Sequence, residues 1–324
     1  HADLWVYARA GESLAVPWQG RQRSTLRLHW DSGVTFQTAA RDGTLSLTTP
    51  TAPARQQVAP PATLAKRAPR DWMPKPAIGV LDMPGLSPVW STITPEKWLR
   101  ALQASRLTKE WKVPVRAISS AAELNRALDA GVTRWFAIVN PYGEVFPAEG
   151  GWASMLERIK RYVQNGGIWW ETAGYSFFIA SYPQRDGWRQ EVVSTRGMET
   201  LGLPVGGGSV EQPPEPLLVP EEGRRWLGER LSEQVSARRS VVNRGLPRSP
   251  DAPPHVALVS GQRDDFIGGY RLGGWGWLWR IGGFYPNPDV AIPVVVAVLE
   301  RLYSQPPPPP QRDTVRRVWH ATIT

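Results

Sequence analysis

Trp135-Phe136-Ala137-Ile138-Val139, then a helical stretch from about Trp152 to Gln164 stopped by Asn165-Gly166-Gly167, then Ile168-Trp169-Trp170: this order decides the fold class. The two apolar runs are too short for helices, and the stretch between them has helical length and a glycine stop. A strand that returns through a helix to a neighbouring strand pairs with it in parallel, by a right-handed crossover.

The same alternation extends upstream. Ala77-Ile78-Gly79-Val80-Leu81 reads as a buried strand ending at Asp82, and Thr94-Pro95 supplies a hydroxyl cap with proline at the first helical position. Val113-Pro114-Val115-Arg116-Ala117-Ile118 is a second strand, and Ser120-Ala121-Ala122-Glu123 after it is a capping box. Downstream, residues 181–254 interrupt the pattern with Pro, Gly and charge around one helix expected near Glu222 to Ser236. Strand character resumes at Val256-Ala257-Leu258-Val259, passes through a glycine-rich hairpin from Phe266 to Ile281, and closes with a helix from about Val290 to Tyr303. The expected class is α/β, a doubly wound and mostly parallel sheet over 77–303.

Residues 1–50 differ in kind. Short alternating runs, Leu4-Trp5-Val6-Tyr7 through Leu45-Ser46-Leu47, are separated by turn signals such as Asp31-Ser32-Gly33 and Asp42-Gly43. They read as a small antiparallel β module, which the tail 312–324 can complete. A Pro- and Ala-rich linker, 51–76, joins the two parts, and Pro306 to Pro310 run extended as polyproline II. A length of 324 residues suits this division into a main domain and a smaller module.

Composition sets the chemical limits. There is no cysteine, which excludes disulfides, thiolate nucleophiles and Cys-ligated zinc. No apolar run approaches the ~18 residues of a membrane span. The net charge of +9 comes mostly from scattered arginines, with no basic run of the length typical of a nucleic-acid patch, so nucleic acid is not the expected partner. Seventeen tryptophans stand against seven phenylalanines, and indole faces stack on sugar rings. The chain begins at His1 without methionine, which reads as either a processed precursor or a trimmed chain; removal of a signal peptide would make it secreted, and extracellular or periplasmic is the expected location. A terminal histidine can chelate copper as in lytic polysaccharide monooxygenases, but the rest of the chain does not resemble those enzymes, and no cofactor or metal is expected.

Asn140-Pro141-Tyr142-Gly143-Glu144 after the third strand, and Gly166-Gly167-Ile168-Trp169-Trp170-Glu171-Thr172-Ala173-Gly174 at the fourth, resemble class I glutamine amidotransferase-like domains. The resemblance covers about two-thirds of the chain and implies an amidotransferase- or flavodoxin-like sheet. It also places the family's nucleophilic cysteine at Thr172, which lacks a low-pKa thiol. Of the four histidines only His255 lies within the domain, at a strand start, so the resemblance implies a scaffold that has lost the amidotransferase reaction.

Ligands of open α/β sheets bind beyond the carboxyl ends of the strands. That rule selects Asp82, Tyr142 with Glu144, Glu171 with Thr172 and Tyr175, and Ser260 with Asp264 and Asp265, with Trp90 as a further binding candidate. Glu144 and Glu171 follow adjacent strands and are the candidate acid/base pair of a glycoside hydrolase, whose carboxyl groups stand about 5 to 10 Å apart. The structural alternative is that Glu144 caps a helix and Glu171 bonds an arginine; a divalent ion on Asp82, Glu144 and Glu171 is a further option. Trp275, Trp277 and Trp279 recur at period two, so they share one face of a strand, either as an open platform for a polysaccharide or packed under a helix. Gly206-Gly207-Gly208 lacks the context of a phosphate loop and is assigned no ligand. The leading expectation is a carbohydrate-binding protein with a poly- or oligosaccharide partner; the alternatives are a glycoside hydrolase using Glu144 and Glu171, and a protein-docking scaffold.

Overall fold

In the computed structural model, side chains are described for residues 75–204, 213–242, 255–262, 264–272 and 276–304. Six further strands are described as backbone alone. The chain divides into two compact units, His1–Lys66 with Pro309–Thr324, and Arg67–Pro308.

The first unit contains β1 (Ala2–Ala8), β2 (Ser13–Pro17), β3 (Thr25–Trp30), β4 (Thr35–Arg41), β5 (Thr44–Thr48) and the C-terminal β18 (Arg317–Ile323). They form an antiparallel sheet in the order β1-β18-β3-β4-β5-β2, with β18 inserted between β1 and β3. The expected linker, apart from Lys75 and Pro76, and the polyproline run lie outside the described residues.

The second unit opens with β6 (Ala77–Leu81), α1 (Pro95–Ala104), α2 (Arg106–Lys109), β7 (Val115–Ile118), α3 (Ala121–Ala130), β8 (Trp135–Asn140), β9 (Val145–Pro147), α4 (Trp152–Gln164) and β10 (Ile168–Glu171). Then come β11 (Ile179–Gln184), β12 (Gly187–Val192), α5 (Arg196–Thr200), β13 (Glu215–Pro216), α6 (Glu221–Leu227), α7 (Glu229–Ser236) and β14 (Arg239–Ser240). The unit closes with β15 (His255–Ser260), β16 (Asp265–Leu272), β17 (Gly276–Ile281) and α8 (Pro288–Ser304). Seven strands form one open sheet in the order β15-β16-β17-β10-β8-β6-β7. Every pairing is parallel except those of β16, which runs against both neighbours. The unit is thus mixed α/β with a mostly parallel sheet.

Local chemistry explains the element ends. Thr94 Oγ1 accepts from Lys97 N at 3.3 Å at the start of α1. Ser120 Oγ accepts from Glu123 N at 3.1 Å, while Glu123 Oε2 reaches back to Ser119 N at 2.8 Å, one residue earlier than a standard capping box. At the end of α4, Gly167 N donates to Tyr162 O and Gly166 N to Val163 O, the paired bonds of a Schellman stop, with Gly166 at φ 102°. The single helix expected near 222–236 is two helices, α6 and α7, because Gly228 takes φ 77° between them.

Period-two alternation in the strands feeds two cores. Ile78 and Val80, Val139, Ile168 and Trp170, and Trp279 pack with Trp98 of α1 and the valines of α8. Leu81, Ile138, Trp169 and Leu278 pack with Leu124 of α3 and with Met155 and Ile159 of α4.

Candidate functional site

In the sheet order, β7 lies to one side of β6 and β8 to the other, so the winding changes direction between β6 and β8. Such a switch leaves a crevice at the carboxyl ends of the two strands. An open cleft of about 360 Å³ lies there, lined by the segment after β6, from Asp82 to Pro95, and by Pro141 and Tyr142 after β8. Asp82, Thr92 and Thr94 are exposed within it. Tyr142 is buried in its wall: its hydroxyl accepts from Met83 N at 2.5 Å and donates to Met83 O at 3.2 Å. Burial pushes the Tyr142 phenol up to about 12, with the Asp82 charge adding to the rise, so it stays a neutral hydrogen-bonding group at any physiological pH.

Beside the cleft the chain crosses the top of β8. Val89 N donates to Tyr142 O at 3.0 Å and Val89 O accepts from Glu144 N at 3.4 Å. Gly143 makes this crossing feasible, because it sits at φ 69° and a Cβ there would stand 1.9 Å from Val89 O. Trp90, itself at φ 61°, stacks on Phe284 at 4.1 Å and meets Tyr285 edge-on at 5.7 Å, while Tyr285 N donates to Trp90 O. Tyr285 is 57% exposed and forms with Trp90 an aromatic shelf on the surface.

Beneath the crossing lies a buried polar network. Glu171, fully enclosed, accepts from Trp169 Nε1 at 2.5 Å and from Asn140 Nδ2 at 3.1 and 3.2 Å. Asn140 Nδ2 also donates to Val145 O at 2.9 Å, and Thr172 Oγ1 donates to Asn140 O at 2.8 Å. Glu144 Oε1 accepts from Tyr175 N at 2.9 Å, and Gly174 at φ 64° leaves room for that carboxylate. Arg280, at the end of β17 and fully buried, donates to Gly174 O at 3.0 Å and lies within electrostatic reach of both glutamates. Burial pushes the Glu171 carboxyl up to about 8, against the Trp169 and Asn140 hydrogen bonds and the Arg280 charge, which pull it down.

The remaining candidates separate spatially and chemically. Tyr175 is buried and stacks on Phe178 at 5.4 Å. Asp264 is half-buried, and its carbonyl accepts from Gly261 N at 2.8 Å. Trp279 has no exposed surface: it stacks on Trp170 at 5.4 Å and on Trp277 at 5.1 Å, and Trp226 of α6 meets it edge-on at 5.2 Å. Trp277 is half-buried, under Trp226 at 5.7 Å. Trp275, Gly206-Gly207-Gly208 and the His1 side chain lie outside the described residues. Among the described residues no three acidic or histidine side chains converge as a metal ion requires, so Asp82, Glu144 and Glu171 do not form the ion site considered from sequence.

Sequence reasoning missed Arg280, Thr92 and Thr94. Arg280 ends a strand of the parallel set, where the strand-end rule would have found it, but the stretch was read only as a hairpin. Thr94 was read only as a cap.

No protein-family model and no curated protein matches the chain. Among solved structures it is similar to Gan42B, a GH42 β-galactosidase from G. stearothermophilus, at 12% identity and TM-score 0.37, over 70% of this chain and 30% of that one. It is also similar to the exo-β-1,4-mannosidase Op5Man5 from Opitutaceae bacterium strain TAV5, at 10% identity and TM-score 0.33, over 71% and 34%. A β-galactosidase from Rahnella sp. R3 aligns at 11% identity and TM-score 0.37, over 71% and 32%. The chain thus spans about a third of the length of these proteins. The resemblance to class I glutamine amidotransferase-like domains is corrected by these findings: no model of that family matches, and the three structures named above are a mannosidase and two β-galactosidases. The position assigned to its nucleophile holds Thr172, enclosed and tied to Asn140 O.

Proposed function

We propose that the chain binds carbohydrate in the cleft at the carboxyl ends of β6 and β8, using a doubly wound sheet as its frame. One observation carries this reading: the cleft coincides with the switch in winding direction and combines an exposed carboxylate and two threonines with apolar walls. Asp82 accepts from sugar hydroxyls, Thr92 and Thr94 donate and accept, and the Trp90–Tyr285 shelf offers a ring face beside the mouth. Titration calorimetry with a panel of neutral oligosaccharides tests it. Binding that weakens about tenfold in Asp82→Asn, the value of one good hydrogen bond, supports the assignment. No heat from any saccharide at concentrations up to about 10 mM, where even a ~1 mM Kd would register, ends it.

A second reading, glycoside hydrolysis by Glu144 and Glu171, is favoured by the raised Glu171 carboxyl, since a general acid must hold its proton near neutral pH. It requires the Val89–Trp90 crossing to lift and admit the sugar. Released sugar that disappears in Glu171→Gln, with cleft binding retained, supports it; equal release from both proteins rules it out.

A further inference from the structure

A second recess, of about 370 Å³, lies elsewhere in the same unit, between the edge strand β7 and α3. It is lined by Lys75 just before β6, Arg116 on β7, Arg126 on α3, Arg134 just before β8, and Glu123 and Trp135. Four cationic side chains therefore face one carboxylate. Glu123 is committed to the α3 cap through Ser119 N. Lys75 is partly committed, donating to Trp111 O. The side chains of Arg116, Arg126 and Arg134 are exposed, and their guanidinium groups make no hydrogen bond or ion pair with any described residue.

Arginine forks present paired donors that match a carboxylate, and with Glu123 committed to its cap no described carboxylate takes them. Trp135, half-buried in the wall, lies over Gly79, where a Cβ would come within 3.2 Å of its ring. The recess thus pairs anion-binding forks with part of an indole face, in a volume suited to one or two sugar rings. The cations line a single recess, whereas a nucleic-acid groove carries its cations along the phosphate backbone.

We infer that this recess binds an acidic oligosaccharide, the arginines pairing with its carboxylates and Trp135 lying against a ring. The site is independent of the cleft at Asp82: it selects charge, and its residues belong to other elements.

Calorimetric titration of the full chain with hexagalacturonate, a neutral galactan hexamer, inorganic phosphate and a short DNA duplex, at about 20 and 200 mM salt, tests the inference. The expected result is binding of hexagalacturonate that weakens with salt and falls at least tenfold in Arg116→Ala/Arg126→Ala/Arg134→Ala, while any binding of the neutral hexamer is the same in that variant as in wild type. The triple Arg→Lys variant, which keeps the charge and removes the forks, should fall between the two and guards against loss of fold. Equal binding by wild type and the alanine variant overturns the inference, as does a loss of neutral-hexamer affinity in that variant as large as the loss for hexagalacturonate. Phosphate binding as tightly as hexagalacturonate reduces the recess to a bare anion site, and tighter binding of a short DNA duplex makes it a nucleic-acid site; either result overturns the proposal.

Discussion

Glu171 concentrates the chemistry of single residues in this protein. Its folded-state carboxyl is raised to about 8 from an ordinary 4.5 by burial, so the folded chain holds that proton more tightly than the unfolded chain does. The stabilisation is complete below about 4.5 and is lost as pH rises through about 8, with a slope of at most about 1.4 kcal/mol per pH unit. Glu171→Gln should remove this slope. Urea unfolding at pH 5 and pH 8 should then show a smaller stability difference in the variant than in the wild type. The same difference in both proteins would mean that Glu171 is ionised when folded. The carboxylates at strand ends were legible because a strand's carboxyl end is a fixed place in an α/β fold. Their enclosure was not legible: it depends on the Val89–Trp90 segment crossing Gly143, and on Arg280 arriving from a strand distant in sequence.

At the scale of elements, caps and periods were readable because they act over a few residues. Ser120 with Glu123, Thr94 with Pro95, and Gly166-Gly167 each met the partner that local geometry implies. Gly228 shows the limit of such reading, since a glycine within an apparently continuous helical stretch either bears the cost or takes a left-handed φ and divides it. The period-two tryptophans of β17 were placed on one face by the same logic, but their covering came from α6, across the unit. Trp279→Ala should therefore destabilise the unit by about 3–5 kcal/mol. Trp279→Phe should cost much less, because the indole N–H has no acceptor among the described residues and its loss orphans nothing. Thermal unfolding of both variants measures the difference. A Trp279→Ala protein as stable as wild type would show that this indole contributes little to the core.

For the whole molecule, the sequence supports an α/β unit beside a β module but not the order of strands within either sheet. Hydrophobic period states which face of a strand is buried and is silent on which strand lies beside it. The insertion of β18 between β1 and β3, and the seating of β17 against β10, are outcomes of long-range packing. The basic recess is more local: Arg116, Arg126 and Arg134 lie within one β7-α3-β8 unit, and its turn brings them to one recess with Lys75. One consequence concerns how the chain is made. β10 finds β8 soon after synthesis, but its other neighbour, β17, follows roughly a hundred residues later, on the order of ten seconds at ribosomal rates. Through that interval the edge bearing Ile168 and Trp170 has backbone groups to pair and an apolar face to cover. Until β17 arrives β10 is therefore an open edge, and a chain ended before β17 would leave that edge as a template for aggregation.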